Sequence, residues 1–284
     1  MGRGQCKNKP LCNGFTLVEL LVVVAIIAIL SALLLTAIAS SKTKGTNVQC
    51  MSNMRQLQMA WLMYEHDFSA LPPNNDQPDA GKSPNRPSWV AGWLRLDSQE
   101  GDKTDSTNTT LLVGEQYAAF GSIGPYTKSP KLYKCPLDHS TVNIGGINYP
   151  RVRTVSMNAY MNGTGVWQDT NYVTFRKINQ IPDASKMWVF IEEREDSIND
   201  GYFAIKADAK YAIIDTPASY HNKCGIISFA DGHVEVHKWL EQTTMPPLTP
   251  GVHLSGVPIY TTINDRDMKW LMERTTIPVE EKKE

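Results

Sequence analysis

Gly14-Phe15-Thr16-Leu17-Val18-Glu19-Leu20 opens the apolar run on which the reading of the whole chain turns. Every residue from Leu20 to Leu35 except Ser31 is apolar, and the run continues through Ala37, Ile38 and Ala39, about the length a helix needs to cross a bilayer. Upstream, Arg3, Lys7 and Lys9 lie on a polar stretch without an acid, which favours keeping that end in the cytoplasm. Lys42 and Lys44 follow the run and dilute this bias. Glu19 is the anomaly, because a carboxylate in an apolar helix costs roughly 2.5–3.5 kcal/mol at mid-membrane and less near the end. Something should neutralise it.

The segment from Gly14 to Leu20 resembles the type IV prepilin cleavage motif. The resemblance implies that a prepilin peptidase cuts after Gly14 and methylates the new amino terminus at Phe15. Residues 1–14 are then a leader, 15–39 the transmembrane half of an N-terminal helix, and 40–70 its outer half. It also implies that Glu19 pairs with the terminal amine of a neighbouring subunit during assembly. Electrostatics supports that pairing, since a carboxylate removed from water needs a cation within a few ångströms. Two rivals exist. A secretory signal peptide would use the basic start, the apolar stretch and Ala37-Ile38-Ala39 as a cleavage site, but Glu19 and the length of the run count against it. An uncut anchor leaves Gly14-Phe15 and Glu19 without a role.

Beyond the run, apolar residues recur in steps of three or four at Val48, Met51, Met54, Leu57, Trp61 and Tyr64, so the helix is expected to continue. Unbroken from Thr16 to Asp67, it would be roughly 78 Å long. Leu71-Pro72-Pro73 stops it, and the Pro-, Asn-, Asp- and Gly-rich stretch to Pro87 reads as an exposed loop. Residues 88–130 fit a loop or short helices. From Lys131 onward, short β-branched and aromatic runs at 153–155, 172–175, 187–192, 201–205 and 225–230 read as strands of an antiparallel sheet. Residues 226–229 and 234–237 flank Asp231-Gly232 as a hairpin with a two-residue turn. A short helix is expected at 265–274. The fold class is therefore α+β and, by resemblance, pilin-like: a long N-terminal transmembrane helix packed on an antiparallel sheet, with loop insertions, and a head domain over 71–284.

His221, nine further residues and Asp231-Gly232 resemble the H-X9-DG signature of prepilin-processing-associated proteins. Residues 50–57, 134–138 and 156–160 look similar to the same group, although Lys223-Cys224 stands where the group usually has glycines. Physically, Asp231-Gly232 suits a tight turn, and His221 suits a hydrogen bond to a backbone carbonyl that pins the hairpin to the sheet. The sharper alternative joins His221, Asp231 and His233 as ligands of a divalent metal. A general base at His221 lacks a recognisable nucleophile nearby. Calcium is a second metal to consider, at 192–196 with Asp200, or at Asp97, Glu100, Asp102 and Asp105; solvated acidic turns are the plainer expectation at both places. The resemblance, together with an oxidising compartment, makes a Cys50–Cys135 disulfide plausible.

The formal charge of −1, which becomes −4 without residues 1–14, argues against a nucleic-acid partner. Five scattered cysteines exclude a disulfide scaffold. No catalytic residue and no cofactor is expected. By resemblance, the partners are the prepilin peptidase, other pilin-like subunits and further copies of this chain in a type IV pilus or type II secretion pseudopilus. The place is the cytoplasmic membrane, single-pass, with the head on the periplasmic or extracellular side. The alternative is a binding module displayed on the same anchor, which would expose aromatics beside carboxylates between residues 88 and 105.

Overall fold

The apolar run and the periodic stretch after it form one helix, α1 (Leu17–Phe68). The computed structural model describes residues 17–95, 103–206, 211–248, 252–254 and 256–279, with backbone alone for 35–44. The chain divides into two units, Met1–Gly45 and Thr46–Glu284, and α1 contributes to both.

In the first unit, Leu17–Leu34 has a mean hydropathy of 3.0 and none of it is buried. Leu, Ile and Val occupy every side of these turns, so there is no polar face to turn toward water. By length and composition this stretch can cross a membrane.

The second unit is built on a five-stranded sheet. Its strands are β1 (Val155–Asn158), β2 (Trp188–Glu192), β3 (Tyr202–Phe203), β4 (Cys224–Phe229) and β5 (Val234–Lys238), in the spatial order β5-β4-β2-β1-β3. All neighbours are antiparallel except β1 and β3, which pair parallel through Met157–Tyr202 and Asn158–Phe203, so the expected antiparallel sheet is in fact mixed. β1 and β2 are buried along their whole length, as the near-continuous apolar run of β2 requires.

The two faces of the sheet carry different partners. On one face, Ile226 of β4 joins Val155, Met157 and Phe190 against Cys50, Met54, Leu57, Trp61 and Tyr64 of α1. These five helix positions are spaced four, three, four and three, the stripe a helix buries against a sheet. Val48, expected on that stripe, is instead 67% exposed, and the stripe enters through Cys50. On the other face, Ile227 and Phe229 join Trp188, Ile191 and Trp239 against Met268 and Leu271 of α2 (Arg266–Thr275). The alternation Ile226, Ile227, Ser228, Phe229 thus serves both layers; Ser228 faces α1 and its hydroxyl donates to Gln58 Oε1 at 2.8 Å. Asp265 caps α2 by accepting Met268 N–H at 2.8 Å.

Several local expectations need correction. The stretch after α1 is not an exposed loop: Leu71, Asn74 and Ala80 are buried, and Asn74–Asn75 pairs parallel with Gly163–Thr164. Asn74 Nδ2 donates to Met157 O at 3.0 Å, so its amide satisfies the backbone at a core strand, which composition alone does not reveal. Residues 172–175 form only isolated bridges, Tyr172 to Pro278 and Phe175 to Met161, because their backbone partners change from residue to residue. The β4–β5 turn is not a two-residue one. Phe229 N donates to His233 O and Gly232 N to Phe229 O, giving the three-residue loop Ala230-Asp231-Gly232 with Gly232 at φ +98°. A hairpin at Thr141–Ile144 and Ile147–Pro150, not anticipated, turns on Gly145-Gly146, both at positive φ.

Candidate functional site

Gly14 and Phe15, where processing is expected, lie outside the described residues. Glu19 stands in the first turn of α1, where the helix dipole favours a negative charge.

In the head, His221 gathers the chemistry. It lies before β4, only 2% exposed, in a turn where Asn222 and Lys223 both take positive φ. Of the two positions where the resembled group usually has glycines, Lys223 and Cys224, the first takes this backbone. The ring does not bond a backbone carbonyl. Its Nδ1 lies 2.7 Å from Asn47 Oδ1 on α1, and its Nε2 lies 3.1 Å from Glu192 Oε2, 3.2 Å from Glu192 Oε1 and 3.3 Å from Cys135 Sγ. His221 therefore ties the hairpin to α1 and to the end of β2.

Cys50 and Cys135 meet at the same point. Their sulfurs are 3.2 Å apart and both are free thiols, beyond the roughly 2.05 Å of a disulfide bond. Cys50 reaches the point from the buried stripe of α1. Cys135 is set by its N–H, which donates to Thr154 Oγ1 at 2.7 Å, just before β1. Glu192, the last residue of β2, accepts Ile226 N–H at 3.1 Å. Burial pulls the His221 pKa down, but contact with Cys135 and Glu192 outweighs it and carries it up to about 10. The hydrogen bond with Cys50, reinforced by burial, raises the Cys135 pKa and keeps that thiol neutral.

Asp231 and His233 do not join His221. The six residues of β4 separate them from it, about 20 Å of extended chain. They pair with each other at 2.5 Å, and His233 stacks on Phe229. The metal triad His221–Asp231–His233 is therefore not assembled.

The acidic stretch 192–200 is not a solvated turn either. Glu192, Glu193, Asp196 and Asp200 are buried, with Arg194 bridging Asp196 in two bonds of 2.6 and 2.7 Å. Glu193 accepts from Ser156 Oγ at 2.5 Å and Ser197 Oγ at 2.8 Å, yet burial carries its pKa up to about 7. Asp200 and Asp215 are pushed well up for the same reason. Two buried arginines lie nearby. Arg151 holds the carbonyls of Leu94, Glu195 and Ile198, while burial pulls Arg153 down to about 10, still cationic at neutral pH. Of the second acidic group, Asp97, Glu100 and Asp102 lie outside the described residues, whereas Asp105 is buried, pairs with Lys82 and accepts Trp93 N–H.

Two residues of the His221 cluster were not singled out from sequence for this place: Asn47 and Glu192. Glu192 carried a signal, since it ends the apolar run Trp188-Val189-Phe190-Ile191 at the border of the core, where a carboxylate is buried only with a partner.

Against this geometry, the comparisons fall into place. Residues 9–35 match the prokaryotic N-terminal methylation motif, so the start of the chain is of the prepilin type. Residues 47–100, which include Asn47, Cys50 and the buried stripe of α1, match the family described as protein of unknown function (DUF1559). Both matches fall within the first 100 residues, and His221 and Asp231-Gly232 lie outside them. No curated protein and no solved structure matches the chain.

Proposed function

We propose that this chain is a membrane-anchored pilin or pseudopilin subunit, cut by a prepilin peptidase between Gly14 and Phe15, methylated at Phe15 and assembled into a type IV pilus or type II secretion-like pseudopilus. The observation that carries the reading is the methylation motif leading into an all-apolar helix with Glu19 in its first turn. A helix apolar on every side is at home in lipid and, equally, among copies of itself. During assembly Glu19 meets the amine of Phe15 on the neighbouring subunit, and the head stands on the periplasmic or extracellular side. The chain serves as substrate of the peptidase and as building material; no residue is assigned a catalytic step. The display-module alternative loses its distinguishing feature, because Trp89 and Trp93 are buried and Trp89 Nε1 donates to Gly201 O at 2.8 Å.

The test is co-expression of the full chain with a prepilin peptidase, followed on membranes. Wild type should shorten by the leader, Gly14→Val should stay uncut, and Glu19→Val should be cut but absent from sheared filaments. Filaments containing uncleaved chain, or Glu19→Val incorporated as well as wild type, would refute the reading.

A further inference from the structure

We infer that Cys50, Cys135, His221 and Glu192 form a zinc site in the head, a role separate from processing and assembly and independent of whether the filament reading holds. The four come from α1, the segment before β1, the turn before β4 and the end of β2. One ligand atom from each lies within 4.8 Å of every other. The measured approaches are 3.2 Å between the sulfurs, 3.3 Å from Cys135 Sγ to His221 Nε2, and 3.1–3.2 Å from Nε2 to the Glu192 oxygens. With Zn–S near 2.3 Å and Zn–N or Zn–O near 2.0–2.1 Å, a tetrahedral site has edges of about 3.3–3.8 Å. These three edges reach that size by opening a few tenths of an ångström, and the remaining three lie within 4.8 Å.

Two further observations point to a cation at this place. Asn47 Oδ1 can only accept, so at 2.7 Å it holds the proton on Nδ1 and leaves Nε2 facing the other donors, the outer-shell arrangement usual for a metal-bound imidazole. Nε2 then faces a sulfur and both oxygens of Glu192 at once; a single proton there bonds one of them well, whereas an ion among the four serves all. Zinc would displace the thiol protons of Cys50 and Cys135 and the Nε2 proton of His221 to solvent; the two thiolates, imidazole and carboxylate that result select zinc over magnesium or calcium, and all four residues are at most 3% exposed, as suits a closed structural site. Bound there, zinc joins α1 to the sheet, and His221 of the H-X9-DG motif becomes a ligand while Asp231-Gly232 remains a turn. A Cys50–Cys135 disulfide is the competing state, since one pair of sulfurs cannot do both.

The experiment uses the full mature chain, extracted in detergent without chelator. Its zinc content is measured by elemental mass spectrometry, its thiols by alkylation without reductant, and its cobalt-substituted form by absorption. The account expects one zinc per chain, Cys50 and Cys135 alkylated only after chelation, and a thiolate-to-cobalt charge-transfer band with tetrahedral d–d bands. Cys135→Ser and His221→Ala should each lower zinc retention at least tenfold, Asn47→Ala should weaken it by about 10–100-fold, and Cys224→Ser should retain it. Wild type decides the matter even where a variant fails to fold. A Cys50–Cys135 linked peptide, wild type without zinc and without the cobalt band, or zinc retained in both Cys135→Ser and His221→Ala would overturn the site.

Discussion

The two parts of α1 share one backbone conformation and differ in how they dispose of apolar surface. Between Leu17 and Leu34 the side chains are apolar on every side and exposed; between Cys50 and Tyr64 a single stripe is buried, and Arg55 and Gln56 face water beside the exposed Met59 and Met63. A helix supplies only a scaffold, and the distribution of its side chains selects the surroundings. The first part requires an apolar medium or neighbours of its own kind, whereas the second is already provided for by the sheet.

That contrast breaks most readily at Trp61, fully buried between α1 and the sheet. Trp61→Ala should cost the head about 3–5 kcal/mol, whereas Ile27→Ala should change head stability by under about 0.5 kcal/mol. Denaturant unfolding of the full chain in detergent, read by near-ultraviolet circular dichroism, checks both. Equal losses would show that the first part is also buried in the head.

The second expectation uses pH. Glu193, Asp200 and Asp215 have raised pKa values because they are buried. A carboxyl raised in the folded state stabilises fully below its unfolded pKa and loses that contribution as pH climbs through the folded value. Head stability should therefore fall from about pH 4.5 to beyond 7, by about 3 kcal/mol for Glu193 alone, and Glu193→Gln should flatten the decline. The helix content of Leu17–Leu34 should not follow. Stability that rises over this interval would contradict the buried-acid description.

How much of this was legible depends on whether the cause was local. α2 was placed within a residue at each end, and β2, β4 and β5 were legible because their side chains alternate or run apolar between turn residues. The burial of Glu193 was not legible, because one of the two hydroxyls that hold it belongs to Ser156, 37 residues away in sequence. For the same reason the meeting of Cys50 with His221 escaped detection: the motif spacing directed attention from His221 toward Asp231, whereas its partners lie on α1 and β2. The parallel pairing of β3 with β1 left no mark in composition either.

Two smaller effects sharpen the distinction between backbone and packing in the head. Gly232→Ala should cost about 1–2 kcal/mol, all of it conformational, since an added Cβ would meet only Leu62 Cδ1 at an ordinary 3.7 Å. Asp265→Ala should cost about 1 kcal/mol by uncapping α2, and Asp265→Asn should recover most of it. Thermal melts of the three variants would rank them.

The most direct test of the central claim is the amino terminus itself, read by intact-mass and N-terminal peptide analysis of the protein recovered from its native membrane. Prepilin processing predicts a chain beginning at Phe15 with one added methyl. A chain beginning after Ala39 would contradict it and leave a secreted head without its anchor.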